Sequence, residues 1–147
     1  HIYGITFKTP EVPKTFPDGN KFSKVKIPDV FEELEFDDDG NAIYGEEQMS
    51  FIIREVNRIK NGYWFINNGV ETYITGLHYF NLNYWTLEDG NTPDYRDADR
   101  RYFYFQEYCE KLPQCYGIVR IKKRREGATS QATCYLVWKA ITQKKQF

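Results

Sequence analysis

The run Cys115-Tyr116-Gly117-Ile118-Val119-Arg120-Ile121 is short, apolar and β-branched. It passes through a basic turn, Lys122-Lys123-Arg124-Arg125-Glu126, into Gly127 and a hydroxyl residue, Thr129. β-Branched side chains suit a pleated, packed surface, so the run is predicted to be a buried strand. From Thr129 to about Gln143 the pattern predicts a helix, with Ala132, Leu136, Val137 and Ile141 on its apolar side. A strand buried on both faces needs neighbours in a parallel sheet. The order strand, Gly-containing loop, hydroxyl, helix therefore points to an α/β fold, and with one such strand in view the sheet is incomplete.

The rest of the chain divides by composition. Residues 1 to 28 hold Pro10, Pro13, Pro17 and Pro28, a density that predicts an extended, irregular arm. The acidic stretch to about Gly45 reads as loop, with a short helical turn near Phe31 to Leu34. Met49, Ile52, Ile53, Val56 and Ile59 recur at helical spacing and predict a helix over about 46 to 60 with these residues inward; Gly62 closes it. Tyr63–Ile66 and Val70–Thr75 flank Asn67-Asn68-Gly69, the signature of a hairpin. Leu77 to Trp85 is unusually aromatic, and Glu88 to Pro93 reads as a loop. A further helix follows Pro93, with Asp94 as its cap, Tyr102, Phe105, Tyr108 and Cys109 at helical spacing, and Pro113 as its stop. These signals give three regions: an arm (1–45), a helix-plus-hairpin cover (46–93) and the start of a nucleotide-binding domain (94–147).

Composition excludes several classes. With 147 residues, 41% hydrophobic and 28% charged, the chain can bury one core. No apolar run approaches the ~20 residues that span a bilayer, so no membrane-spanning helix is expected. Cys109, Cys115 and Cys134 form no CxxC pair, and His1 and His78 are the only histidines, so zinc-ligand spacing is lacking. The cysteines read as small buried apolar residues in a reducing compartment. Asp37-Asp38-Asp39-Gly40-Asn41 lacks the spacing and terminal Glu of an EF-hand loop and reads as a solvated turn.

Net charge is −1, but it is unevenly spread: nine acids and no base lie between Asp29 and Glu47, and nine bases with one acid lie between Lys111 and Phe147. A basic end attracts phosphate, whether of a nucleotide or a nucleic acid. Backbone N–H groups at a helix N-terminus carry partial positive charge, and a Gly allows a phosphate chain to approach them. A lysine then supplies a cation and a Ser or Thr hydroxyl holds magnesium. Against the standard G-x-x-x-x-G-K-[ST] pattern, Lys122-Lys123-Arg124-Arg125-Glu126-Gly127-Ala128-Thr129 keeps the second Gly and the hydroxyl. Lys122 replaces the first Gly and Ala128 the motif lysine. The competing reading is a basic turn that touches DNA or only water.

Val119 to Ser130 resembles the deviant Walker A segment of tailed-phage terminase large subunits, some of which carry R-x-x-G-[KYA]-[ST] and place the working lysine at the loop's start, where Lys122 stands. Tyr95-Arg96-Asp97-Ala98-Asp99-Arg100 resembles that family's adenine-recognition stretch. Gly76-Leu77-His78-Tyr79-Phe80-Asn81-Leu82-Asn83-Tyr84 resembles a segment of the terminases of large gut phages. The resemblance spans roughly Asn61 to Trp138 and implies the N-terminal part of an ASCE-type P-loop ATPase. It places Lys122, Arg124, Arg125, Gly127, Ala128, Thr129 and Ser130 on ATP phosphates, Thr129 on Mg2+, and Tyr95, Arg96 and Asp99 near the adenine. Asp99 stands where the family has Gln. It also implies double-stranded DNA, a portal protein and a terminase small subunit as partners, a homo-oligomeric ring, and action in the host cytoplasm at the procapsid portal. No strand ending in paired acids follows the loop, so the chain reads as a fragment of a longer ATPase, inactive alone. Tyr79, Phe80, Tyr84 and Trp85 read as core in preference to a base-stacking platform, His78 lacks a visible catalytic partner, and Lys139, Lys144 and Lys145 read as a solvated helix end. The alternative function is a non-enzymatic nucleic-acid-binding or virion interaction module.

Overall fold

The computed structural model describes residues 9–121 and 127–143, a mixed α/β arrangement of four helices and two small antiparallel sheets. After a 3-10 turn at Asp29–Phe31 come strands β1 (Glu35–Phe36) and β2 (Ala42–Ile43), helix α1 (Glu46–Asn61), strands β3 (Tyr63–Asn67) and β4 (Val70–Ile74), and helices α2 (Gly76–Tyr84), α3 (Asp97–Glu110) and α4 (Ala128–Thr142).

From residue 9 onward the arm is the irregular wrap its prolines predict. Trp64 Nε1 donates to the Pro10 carbonyl at 3.1 Å and Val25 N–H to Asn83 Oδ1 at 2.8 Å. Phe22 sits edge-on to Phe65 (5.4 Å between centroids) and stacks with Tyr95 (6.4 Å). The acidic stretch is more ordered than a solvated loop. β1 pairs antiparallel with β2, and Asp37 Oδ1 closes the turn by accepting from Asp39 N–H (3.0 Å) and Asn41 N–H (2.7 Å). Those bonds, with the Asn41 side chain first, hold the Asp37 carboxyl below its ordinary range.

Helix α1 forms where its periodicity and acidic first turn predict, but on a rotated face. Gln48, Phe51 and Glu55 are buried, while Met49, Ile53 and Val56 are exposed. Polar bonds turn it: Gln48 accepts from Gly45 N–H at 2.6 Å and donates to the Val30 carbonyl at 2.6 Å. Glu55 accepts from Tyr79 Oη (2.6 Å), Tyr84 Oη (2.9 Å) and Arg58 (2.9 Å). Two glycines set the path out of α1. Gly62 sits at φ +87°, and a Cβ there would strike the Ile74 carbonyl and the Tyr73 ring. At Gly76 a Cβ would strike the Ile59 carbonyl, so only Gly lets α2 start against the end of α1.

The hairpin follows its Asn-Gly signal, with Tyr63 opposite Ile74 and Asn67 opposite Val70. The aromatic segment that comes next is α2, which is buried from Gly76 to Leu82 and lies in the middle, packed against α1, α3 and α4. One core cluster joins Phe65, Ile74, Tyr79 and Leu82; the other joins Leu77, Phe80, Phe103 and Cys134. The core reading of Tyr79 and Phe80 therefore holds, with Tyr84 and Trp85 half-buried at the edge. Thr75 Oγ1 (3.3 Å, from His78 N–H) and Glu107 Oε1 (3.0 Å, from Leu77 N–H) cap the start of α2. Burial pushes the Glu107 carboxyl above its ordinary range.

Two expectations fail at the C-terminal end. Cys115–Ile121 is not a buried strand: it forms neither helix nor ladder, and Tyr116, Val119 and Ile121 are 99%, 93% and 98% exposed. Its β-branched residues have no neighbouring strand among the described residues, so propensity alone leaves it single. Helix α4 buries Gln131 and Cys134, with Trp138 half-buried, and exposes the predicted inner residues Ala132, Leu136, Val137 and Ile141. The anchoring is polar and aromatic: Trp138 Nε1 donates to the Ile59 carbonyl at 2.8 Å. Helix α3 starts at Asp97 with Arg96 as its cap residue, two positions after the expected cap Asp94. Among the described residues, no helix is long and apolar enough to cross a membrane.

Candidate functional site at the start of helix α4

Lys122, Arg124 and Arg125 lie outside the described residues. The remainder of the predicted phosphate loop forms the first turn of α4. Gly127 takes φ +69° as the cap residue and its carbonyl accepts from Gln131 N–H at 3.0 Å. Ala128 is half-buried and Thr129 is exposed. Ser130 is half-buried and engaged: its Oγ accepts from Trp85 Nε1 at 2.8 Å.

Gln131, which no motif singled out, is the pivot of this turn. It is buried, its amide donates to Asp99 Oδ1 at 2.7 Å, and its carbonyl oxygen accepts from the Arg120 guanidinium. Arg120 in turn lies over the Tyr102 ring, 3.9 Å from the centroid. Asp99 completes the chain by accepting from Arg96 Nε at 2.7 Å. The first turn of α4 is thus held by the end of α2, the start of α3 and Arg120. Sequence reasoning had a cue to this junction in Asp99, but read it as a ligand contact.

The adenine-proximal trio is committed to the fold. Tyr95 is half-buried, stacks on His78 (5.7 Å, 20°) and meets Phe65 edge-on (5.3 Å). Arg96 and Asp99 hold each other. Placing all three on a base would require those contacts to open. His78 is fully buried between Tyr95 and Phe103, and neither ring nitrogen has a partner. Burial first, then the Arg100 charge, holds the imidazole neutral with a pKa lowered to about 3.

Beside the exposed side of the turn lies a hollow of about 520 Å³, bounded by Trp85 to Asp89 on one side and by Thr129, Ser130 and Thr133 on the other. One wall offers hydroxyls and the positive end of a helix macrodipole. The facing wall carries Glu88 and Asp89. Asp89 accepts from Asn91 N–H at 3.0 Å, which holds its carboxyl below the ordinary range. Among the described residues no three His, Cys, Asp or Glu side chains gather as a metal cluster. Magnesium does not require one: it favours oxygen donors, and one or two carboxylates plus substrate phosphates suffice. Hydroxyls and carboxylates around one hollow fit that demand, whereas a phosphate alone would face the repulsion of two acids.

No family model, curated protein or solved structure matches the chain.

Proposed function

We propose that the chain is part of a DNA-packaging ATPase similar to tailed-phage terminase large subunits, and that it receives Mg2+–ATP at the start of α4. The phosphates lie against the amides after Gly127, Thr129 and the facing carboxylates hold the magnesium, and Lys122, Arg124 and Arg125 supply counter-charge. The single observation that carries this reading is the open hollow beside the exposed Thr129 at the N-terminal end of a 15-residue helix. Tyr95, Arg96 and Asp99 reach the adenine only if their contacts with Phe65, with one another and with Gln131 open. The apolar faces left bare on α4 and on residues 116–121 are surfaces that a parallel sheet of a P-loop domain covers. Hydrolysis, a homo-oligomeric ring, and work on double-stranded DNA with portal and small-subunit partners at the procapsid portal in the host cytoplasm belong to the assembled motor.

Titration calorimetry with a non-hydrolysable ATP analogue tests this. Binding is expected with magnesium, weakened about tenfold, or ~1.4 kcal/mol, in Thr129→Ala and in Lys122→Ala. Absence of binding, or an affinity that neither substitution lowers from that of the unaltered protein, overturns the phosphate site.

One observation favours a second reading, a non-enzymatic nucleic-acid-binding or interaction module. Tyr116, 99% exposed, precedes the four consecutive bases Lys122 to Arg125 by about six residues in the sequence. An aromatic beside cations suits a single-stranded base and its phosphates. That module binds DNA without nucleotide, with affinity that falls steeply as salt rises; a flat salt response excludes it.

A further inference from the structure

The α3 helix ends at a cavity of about 490 Å³ whose wall includes Cys109, Cys115, Tyr102, Gln106, Arg120 and Lys139. The two cysteines lie at successive turns of the chain. Leu112 N–H bonds to the Cys109 carbonyl at 3.2 Å, and Cys115 N–H bonds to the Leu112 carbonyl at 3.0 Å, so the backbone folds back on itself around Pro113. The Cys115 thiol donates to the Gly117 carbonyl at 3.5 Å, and its place near Cys109 adds to the burial that holds the Cys109 thiol above its ordinary range. Cys109 is 7% exposed, Cys115 is half-buried, and the cavity opens to both. Cys134 differs: it is fully buried among Leu77, Phe80 and Phe103, with burial pushing its thiol up to about 11.

We propose that Cys109 and Cys115 form an oxidisable dithiol site, which a peroxide closes to an intramolecular disulfide while Cys134 stays reduced. The inference is independent of nucleotide binding. The geometry assigns the order of events. Burial holds the Cys109 thiol above its ordinary range, so Cys115, the more accessible sulfur, reacts first. Its thiolate attacks one peroxide oxygen; the O–O bond breaks, a sulfenic acid forms, and the other oxygen leaves as water after taking a proton. The Cys109 sulfur then attacks the Cys115 sulfur; the S–S bond forms, the S–O bond breaks, and a second water leaves with the remaining proton. Two thiols and one peroxide thus give one disulfide and two waters. Because Cys115 opens the unpaired 115–121 segment, the disulfide ties that segment covalently to the end of α3.

The test treats the whole chain with hydrogen peroxide at a dose that fully oxidises free dithiothreitol, then counts thiols and maps peptides. The intact mass is expected to lose two hydrogens, the free thiols to fall from three to one, and the cross-linked peptide to join Cys109 to Cys115. Cys115→Ser should abolish the two-hydrogen loss; its half-exposed position makes the variant tolerable to the fold. Three thiols retained after treatment, a link that includes Cys134, or a disulfide only between two chains overturns the proposal. Peptide mapping of the unaltered protein decides the matter even where a cysteine variant fails to fold.

Discussion

Helices α2 and α4 carry comparable apolar content and are treated oppositely by the fold. Every residue of α2 from Gly76 to Leu82 is buried, whereas α4 buries Gln131 and Cys134 and leaves Leu136, Val137 and Ile141 in solvent. The difference lies in what each helix can reach. The hairpin, the arm, α1 and α3 close around α2, and the N–H groups at its start are capped by Thr75 and Glu107. Helix α4 meets this body along one side, through Trp85 to Ser130, Asp99 to Gln131 and Trp138 to Ile59. Polar anchors position α4, and packing encloses α2. Hydrophobicity thus decides that each helix packs, and directional bonds decide which way α4 turns.

The contrast is sharpest in the core beside α2. Phe103 is fully buried and contacts His78 at 5.0 Å between ring centroids. Phe103→Ala should cost about 4 kcal/mol, read as a lowered urea midpoint. A loss near 1 kcal/mol would mean the α2–α3 contact is looser than its burial implies. Glu55 comes next. With 4% exposure and three donors on its carboxylate, Glu55→Ala should cost about 3 kcal/mol by removing the anion that pairs with Arg58 and accepts from the buried Tyr79 and half-buried Tyr84 phenols. Burial, reinforced by Glu55 itself, pushes the Tyr79 hydroxyl above its ordinary range, so that phenol stays a donor at every pH near neutrality.

His78 makes the same region sensitive to acid. In the unfolded chain the imidazole takes a proton near pH 6.5, and in the fold it does so near about 3. Between those values the unfolded state binds more protons, so stability is intact above pH 6.5 and falls as the pH drops toward 3. The expected loss is roughly 2 to 3 kcal/mol between pH 6.5 and pH 4.5. His78→Phe keeps the ring and should flatten that slope, as followed by thermal melts across the pH range. An unchanged slope would place the acid sensitivity in other groups.

How much of this was readable follows the same division. The α1 and hairpin boundaries come from local signals, the Glu46–Glu47 first turn, Gly62, and Asn67-Asn68-Gly69, and they stand in the structure within a residue or so. Leu77 to Trp85 gave no periodic pattern because a helix buried on all sides has no polar face to mark. The inward face of α1 was misread because Gln48 and Glu55, polar residues that satisfy buried partners, take the inner positions. A single sequence shows hydropathy, not partners. The predicted strand at Cys115–Ile121 failed for a related reason: strand propensity becomes structure only with a neighbour to pair with. At the candidate site, Thr129 and Gly127 were legible from a spacing rule, while Gln131 was not, because its role depends on Asp99 and Arg120 arriving from other elements.

At the junction of the two regions, Asp99→Ala should cost about 1 to 2 kcal/mol by leaving the Gln131 amide unpaired. Amide exchange at the start of α4 should rise with it. The variant separates two roles: weaker ATP-analogue binding with unchanged stability and exchange would restore Asp99 to the adenine.

The smallest expected effect carries the most information about α4. Leu136 is 64% exposed, so Leu136→Ser should change stability by less than about 0.5 kcal/mol, the ordinary range for a surface substitution. In the α2 core the same chemical change would be felt several-fold more strongly. A loss above about 1.5 kcal/mol at Leu136 would show that another surface covers the outer face of α4 in solution. Repeating the melts across protein concentrations then separates the causes. If the loss grows with concentration, the cover is a second copy, because association stabilises by mass action. If it does not, a neighbouring part of the same chain lies on α4, and the contrast with α2 narrows to a difference in which residues do the covering.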